Sequence, residues 1–132
     1  YLDPHGNSRN RSSARDLLRL AFRAMQNKEL RRYVNTRTHS CMLTAEDGTT
    51  RNVKWTNTNQ LLSIKGFDGI KTGRTGGAGN CLVSRGRRGG DRLLVVVLGA
   101  SSNDGRFVDS RNLYRWAWRK RAQERQEETL TK

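Results

Sequence analysis

At 132 residues the chain suits one domain or part of one, and 33% hydrophobic content with a mean hydropathy of −0.88 allows only a modest core. The 26 Lys and Arg against 12 Asp and Glu leave a formal net charge of +14. That excess points to an anionic partner, such as nucleic acid, an anionic membrane surface or an anionic polymer, or else is surface character, since the basic residues form no single block.

No apolar run reaches membrane-spanning length, and there is no initiator Met or signal peptide. With Tyr1 first, the sequence reads as a processed product or a piece of a longer chain. "YLDPHGNSRNRSS" is an irregular lead-in, rich in turn formers. Ser12 or Ser13 then caps a helix, and Ser13 with Asp16 resembles a capping box. The helix body is expected to run unbroken through "ARDLLRLAFRAMQNKELRRYV". Leu17, Leu18, Ala21 and Met25 share its apolar face; Arg15, Arg19 and Arg23 line another, read as solvated in preference to a nucleic-acid stripe.

In "SCMLTAEDGTTRNVKWTNTN", Asp47-Gly48 signals a hairpin, with Val53 and Trp55 alternating on a half-buried strand. "TNTNQLLSIKGFDG" is expected to be a loop with a short helical turn. Three strands follow at Gly69–Thr75, Asn80–Arg85 and Arg92–Ser101, joined by Gly-Gly turns short enough for antiparallel hairpins. A helix from about Asp104 past Trp118 closes the chain, with Phe107, Leu113, Trp116, Ala117 and Leu130 as its apolar residues, and residues 121–132 form a charged tail. Cys41 and Cys81 lack the spacing of metal sites, which leaves one disulfide or two buried thiols. The fold class is α+β, an antiparallel sheet flanked by helices.

The run "LLVVVL" does not alternate, so both its faces should be buried and the strand central. A central strand needs two neighbours, and "CMLT…VKWT" is too polar and short to be the second. The sheet is therefore expected to lack strands that lie outside this sequence.

Lys71-Thr72-Gly73 sits between glycines. Lys71 offers a compact positive charge and Gly73 lets a ligand approach the backbone. On an edge strand, these residues with the Thr72 hydroxyl can cradle an anionic substrate, although a bare K-T-G is also what a solubilised edge looks like.

The context decides between the two. "DGIKTGRTGGAGNCLV", then "RLLVVVLGASS", then Gly-Arg and a Trp-bearing helix resemble the serine D-alanyl-D-alanine carboxypeptidases, penicillin-binding proteins that share the serine β-lactamase-like fold. "DPHG", "SSARDLLRLA" and "NTNQLL" fit the same family in the same order, over residues 1–120. The resemblance implies that the K-T-G strand is one wall of the cleft. It implies that Lys71 organises the proton network around the nucleophile, and that Thr72 binds the substrate's terminal carboxylate beside Gly73. Arg74 would lend its backbone N–H to the oxyanion hole, and Arg106 would be a second carboxylate anchor, its fork of donors suited to the task.

The family's S-x-x-K, with its nucleophile and general base, is absent from these 132 residues. Ser8-Arg9-Asn10 and Ser101-Ser102-Asn103 match the letters of its S-x-N motif at the wrong places. Asp3 also replaces the usual Asn before Pro-His-Gly, and Arg74 is long and positive. The resemblance thus implies the C-terminal portion of the fold, with the N-terminal helix and strands missing. The expected activity is part of a D-alanyl-D-alanine carboxypeptidase, inactive without its N-terminal part. Its partners would be stem peptides ending in D-Ala-D-Ala, β-lactams and that N-terminal part, in the cell envelope, with no metal or cofactor and no nucleic acid. The alternatives are a non-catalytic cell-wall binder and, last, a nucleic-acid module.

Overall fold

The computed structural model describes residues 10–131. "DPHG" and the Ser8 motif lie outside them. Helix α1 spans Ala14–Ala24. Its cap is Ser13, whose Oγ accepts from the Asp16 N–H at 3.2 Å and donates to the Asp16 carboxylate at 2.8 Å. Ala21 and Met25 are buried and Leu17 and Leu18 half-buried, the face expected from the spacing.

The helix does not run on to Val34. It stops at Ala24, and a second helix, α2, spans Lys28–Asn35. Asn27 is the cause: its Oδ1 accepts from the Leu30 N–H at 3.0 Å, so the side chain caps a new helix instead of continuing the old one.

Strands β1 (Thr38–Thr44) and β2 (Thr50–Thr56) pair antiparallel as a separate two-stranded sheet around the Asp47-Gly48 turn. The hydroxyl and N–H of Thr49 both bond the Asp47 carboxyl and hold it below its ordinary pKa. A 3-10 turn at Gln60–Ser63 follows, within the loop expected there.

The main sheet has the order β3 (Phe67–Thr75), β4 (Gly79–Arg88), β5 (Asp91–Ala100), all antiparallel. The apolar strand β5 is thus not central in this chain; β4 is. Among the described residues β5 pairs on one edge only. Val95 and Val97 are buried, whereas Leu98 is 41% exposed, so only one of its two apolar faces is well covered. The hairpin β1–β2 does not supply the second neighbour.

Helix α3 runs Gly105–Leu130 and packs on β4 and β5. The stretch expected as a tail continues this helix, and Arg121 and Arg125 pair with Asp91 in the β4–β5 turn region. Its apolar residues divide between core and surface. Phe107 is buried, but Leu113, Trp116 and Leu130 are exposed, and Tyr114 is the large side chain of this helix that is fully enclosed. The Tyr114 ring meets Phe67 edge-on at 4.9 Å and stacks with Trp118 at 5.0 Å. Its hydroxyl reaches Ser84 at 3.2 Å, and burial pushes it well above the ordinary phenol range. Gly86 makes room for this ring: a Cβ there would stand 2.8 Å from Tyr114 Cε1.

On the opposite face of β4, Arg85 grips buried Asp68 through two bonds of 2.7 Å, and Arg87 adds a third contact at 3.3 Å. Cys41 and Cys81 are both free and half-buried. No helix among the described residues is long and apolar enough to cross a membrane.

Candidate active site

The K-T-G residues occupy β3, which pairs with β4 on one edge and leaves the other open among the described residues. The register sets Lys71 opposite Val83, Thr72 opposite Leu82 and Gly73 opposite Cys81. Alternation then splits the side chains: Lys71 is exposed and Thr72 buried. The Lys71 ammonium donates to the Thr72 carbonyl, folding back along its own strand. A Cβ at Gly73 would meet nothing closer than Cys81 Cβ at 3.9 Å, an ordinary contact. Packing inside this chain therefore does not require glycine there, and the open space lies outward.

Thr72 Oγ1 stands 2.6 Å from Thr58 Oγ1. Thr58 is held by its neighbour: the Asn57 N–H donates to the Arg37 carbonyl at 2.7 Å, and Asn57 Oδ1 accepts from the Asn59 N–H at 2.9 Å. Sequence reasoning passed over Thr58 because "TNTN" reads as generic loop. The signal was the Asn-x-Asn pattern, which builds consecutive Asx turns.

Arg106, in the first turn of α3, is buried. Its Nη1 donates to the Gly73 carbonyl at 3.1 Å and the Cys81 carbonyl at 3.4 Å, and its Nη2 to Asn103 Oδ1 at 2.5 Å. The guanidinium carbon lies 4.9 Å from the Phe107 ring centre. Nε is buried without a partner among the described residues. The structure thus joins Arg106 to the K-T-G strand, 33 residues away in sequence. Arg74 is exposed opposite Asn80 at the strand end. No carboxylate pairs with Lys71, Arg74 or Arg106 among the described residues.

The Ser101-Ser102-Asn103 match has structural work. Ser102 Oγ accepts from the Gly105 N–H at 2.9 Å, and Asn103 holds Arg106. A third match, Ser110-Arg111-Asn112, sits in α3, where the Ser110 hydroxyl donates to the Arg106 carbonyl at 2.7 Å.

The profile of the D-alanyl-D-alanine carboxypeptidases matches residues 1–102. The chain belongs to this family. The D-alanyl-D-alanine carboxypeptidase of Streptomyces sp. strain K15 is 34% identical over 118 residues, which is 88% of this chain and 40% of that protein. The DacC carboxypeptidase of Escherichia coli K12 is 44% identical over 69 residues, 51% of this chain and 17% of that one. The crystal structure of the Streptomyces K15 DD-transpeptidase superimposes with a TM-score of 0.78 at 35% identity, covering 86% of this chain and 44% of that one. Penicillin-binding protein D2 of Listeria monocytogenes, in a cefotaxime-bound form, gives 0.63 at 33% identity, covering 79% and 40%. The chain thus spans about two fifths of the length of the first of these relatives, and the matches lie in the C-terminal part of the family fold.

Proposed function

We propose that the chain supplies one wall of the active-site cleft of a serine-type D-alanyl-D-alanine carboxypeptidase acting on peptidoglycan stem peptides. The observation that carries this is the Arg106 guanidinium held on the Gly73 carbonyl beside Lys71, with no carboxylate to neutralise these cations among the described residues. Such a strand suits a peptide that ends in a carboxylate. Thr72 and the remaining N–H groups of Arg106 take that carboxylate, and Gly73 leaves room for the peptide backbone. The Arg74 N–H stabilises the oxyanion as it forms, and Lys71 organises the proton network.

The missing reactant is a serine. In the proposed reaction its Oγ attacks the carbonyl carbon of the penultimate D-Ala and the C–N bond to the last D-Ala breaks. The nitrogen takes a proton, and D-Ala leaves. Water then cleaves the acyl-enzyme ester and restores the serine. A β-lactam acylates the same serine by ring opening. No S-x-x-K occurs in the 132 residues, so the nucleophile and its lysine base come from an N-terminal part of the same fold, and the chain alone is inactive. The substrate locates the work in the cell envelope. If no such part carries a nucleophile, the same wall serves a non-catalytic peptidoglycan binder.

A fluorescent β-lactam tests both. The chain alone should take up no covalent label on a denaturing gel, and the protein with its N-terminal part should label. Label on the isolated chain would overturn the assignment of the nucleophile; no label in either case would favour the binder.

A further inference from the structure

A groove of about 460 Å³ lies between the end of α2 and the β1–β2 hairpin, away from the K-T-G side chains. Its size falls within the roughly 300–1,000 Å³ of small-ligand sites. Arg32, Tyr33, Arg37, His39, Trp55 and Asn57 line it, and none of its lining residues is acidic. Trp55 is 48% and Tyr33 67% exposed, large rings that packing leaves uncovered. The His39 ring stacks near-parallel on Trp55, with centroids 6.3 Å apart and planes 15° from one another, so the hairpin presents a flat ring surface.

The groove is already formed. Asn57 Nδ2 donates to the Thr36 carbonyl at 3.1 Å and the Val34 carbonyl at 3.5 Å, and the Asn57 N–H donates to the Arg37 carbonyl. These bonds tie the hairpin backbone to the end of α2, so the walls of the groove need little rearrangement on binding. No carboxylate pairs with Arg32 or Arg37 among the described residues.

This combination selects a ligand class. An electron-rich ring face attracts the weakly positive C–H face of a pyranose. Threonine and asparagine groups in the walls match hydroxyls and acetamides. Two unpaired guanidiniums match a carboxylate. Single-stranded nucleic acid also stacks on rings, but it needs a basic channel that follows successive phosphates, and this groove is short. We propose that the groove binds a carboxylate-bearing amino-sugar segment of a glycan strand. Asn57 directly precedes Thr58, whose hydroxyl meets Thr72 of the K-T-G strand, so glycan and stem peptide could be held by adjoining parts of the fold. That pairing rests on the proposed function; the chemistry of the groove does not.

The test uses the whole protein labelled with 5-fluorotryptophan, with the Trp55 resonance assigned by Trp55→Phe. The probes are the peptide-free disaccharide repeat of peptidoglycan, neutral N-acetylglucosamine oligomers, a sugar-free D-Ala-D-Ala peptide and an oligothymidine. The disaccharide should shift the Trp55 signal saturably, and the neutral oligomers should bind several-fold more weakly. The peptide should leave the signal unmoved. Tyr33→Ala and Arg37→Gln should each weaken the sugar response about tenfold while leaving β-lactam acylation unchanged. No Trp55 shift with sugar, or tighter binding of the oligothymidine, overturns the proposal. A Trp55 response that persists in a protein unable to acylate would keep the groove and remove the enzymatic reading.

Discussion

The hydroxyls of Thr58 and Thr72 lie 2.6 Å apart, one on a loop and the other on the K-T-G strand. Either hydroxyl can donate, and the contact holds the Thr72 hydroxyl in place. Thr58→Val keeps the shape and removes the bond. A neutral hydrogen bond is worth about 0.5–1.5 kcal/mol, so acylation by a β-lactam in the whole protein should slow by roughly 2- to 12-fold. Thr58→Ser should recover most of it. An unchanged acylation rate constant would mean that the contact does not bear on the site.

Asp68 and Arg85 form a two-bond ion pair with side chains only 7% and 14% exposed. Asp68→Asn leaves Arg85 charged and poorly solvated on the back of β4. Removing one partner of a buried pair costs about 3–5 kcal/mol, and a large fall in the denaturant midpoint should follow. Replacing both residues with apolar ones of similar volume should cost far less. Equal losses for the single and double variants would contradict this account.

Gly86→Ala places a Cβ 2.8 Å from the Tyr114 ring and 3.2 Å from Phe67. Overpacking of this kind costs about 1–3 kcal/mol. Thermal melting should fall accordingly, and pairing the change with Tyr114→Leu should return part of the loss by removing the ring. Full wild-type stability of Gly86→Ala would show that α3 is free to shift away.

The open edge of β5 is a template for association. With Leu98 exposed beside it, the isolated chain should self-associate as salt rises, because the +14 charge that keeps copies apart reaches only about 10 Å at 0.1 M. Adding the N-terminal part should return a monomer with a cooperative unfolding transition. Light scattering over a salt series, with and without that part, reads this out; a monomer at high salt without the partner would mean that the edge is protected within the chain.

What the sequence made legible was chiefly local. The Ser13 cap, the Asp47-Gly48 turn and the three glycine-bounded strands are read from short-range chemistry and were found where that chemistry puts them. The break at Asn27 was not, because Asn is compatible with a helix interior until its side chain is seen to cap Leu30. Which residues of α3 are buried was not legible, for a tertiary reason: it is set by Gly86 and Phe67, which accept the Tyr114 ring, and not by which apolar residues the helix carries. Along its extension through residues 121–130, Arg121 and Arg125 find a partner in Asp91, an acid on another element. At the site, Lys71, Thr72, Gly73, Arg74 and Arg106 could be named from motifs. The Arg106–Gly73 bond could not, since no spacing rule connects a helix start to a strand carbonyl 33 residues earlier.

That bond makes the end of one strand depend on a helix that begins at Gly105, 30 residues after β3 ends at Thr75. Arg106 bonds carbonyls on both β3 and β4 while its own carbonyl is engaged by Ser110. If the first turn of α3 frays, both strand carbonyls lose a donor at once. The K-T-G strand and the helix start should therefore open as one unit, and amide hydrogen exchange near Gly73 should rise and fall with exchange in the first turns of α3, even though the intervening β4–β5 turn exchanges at its own pace.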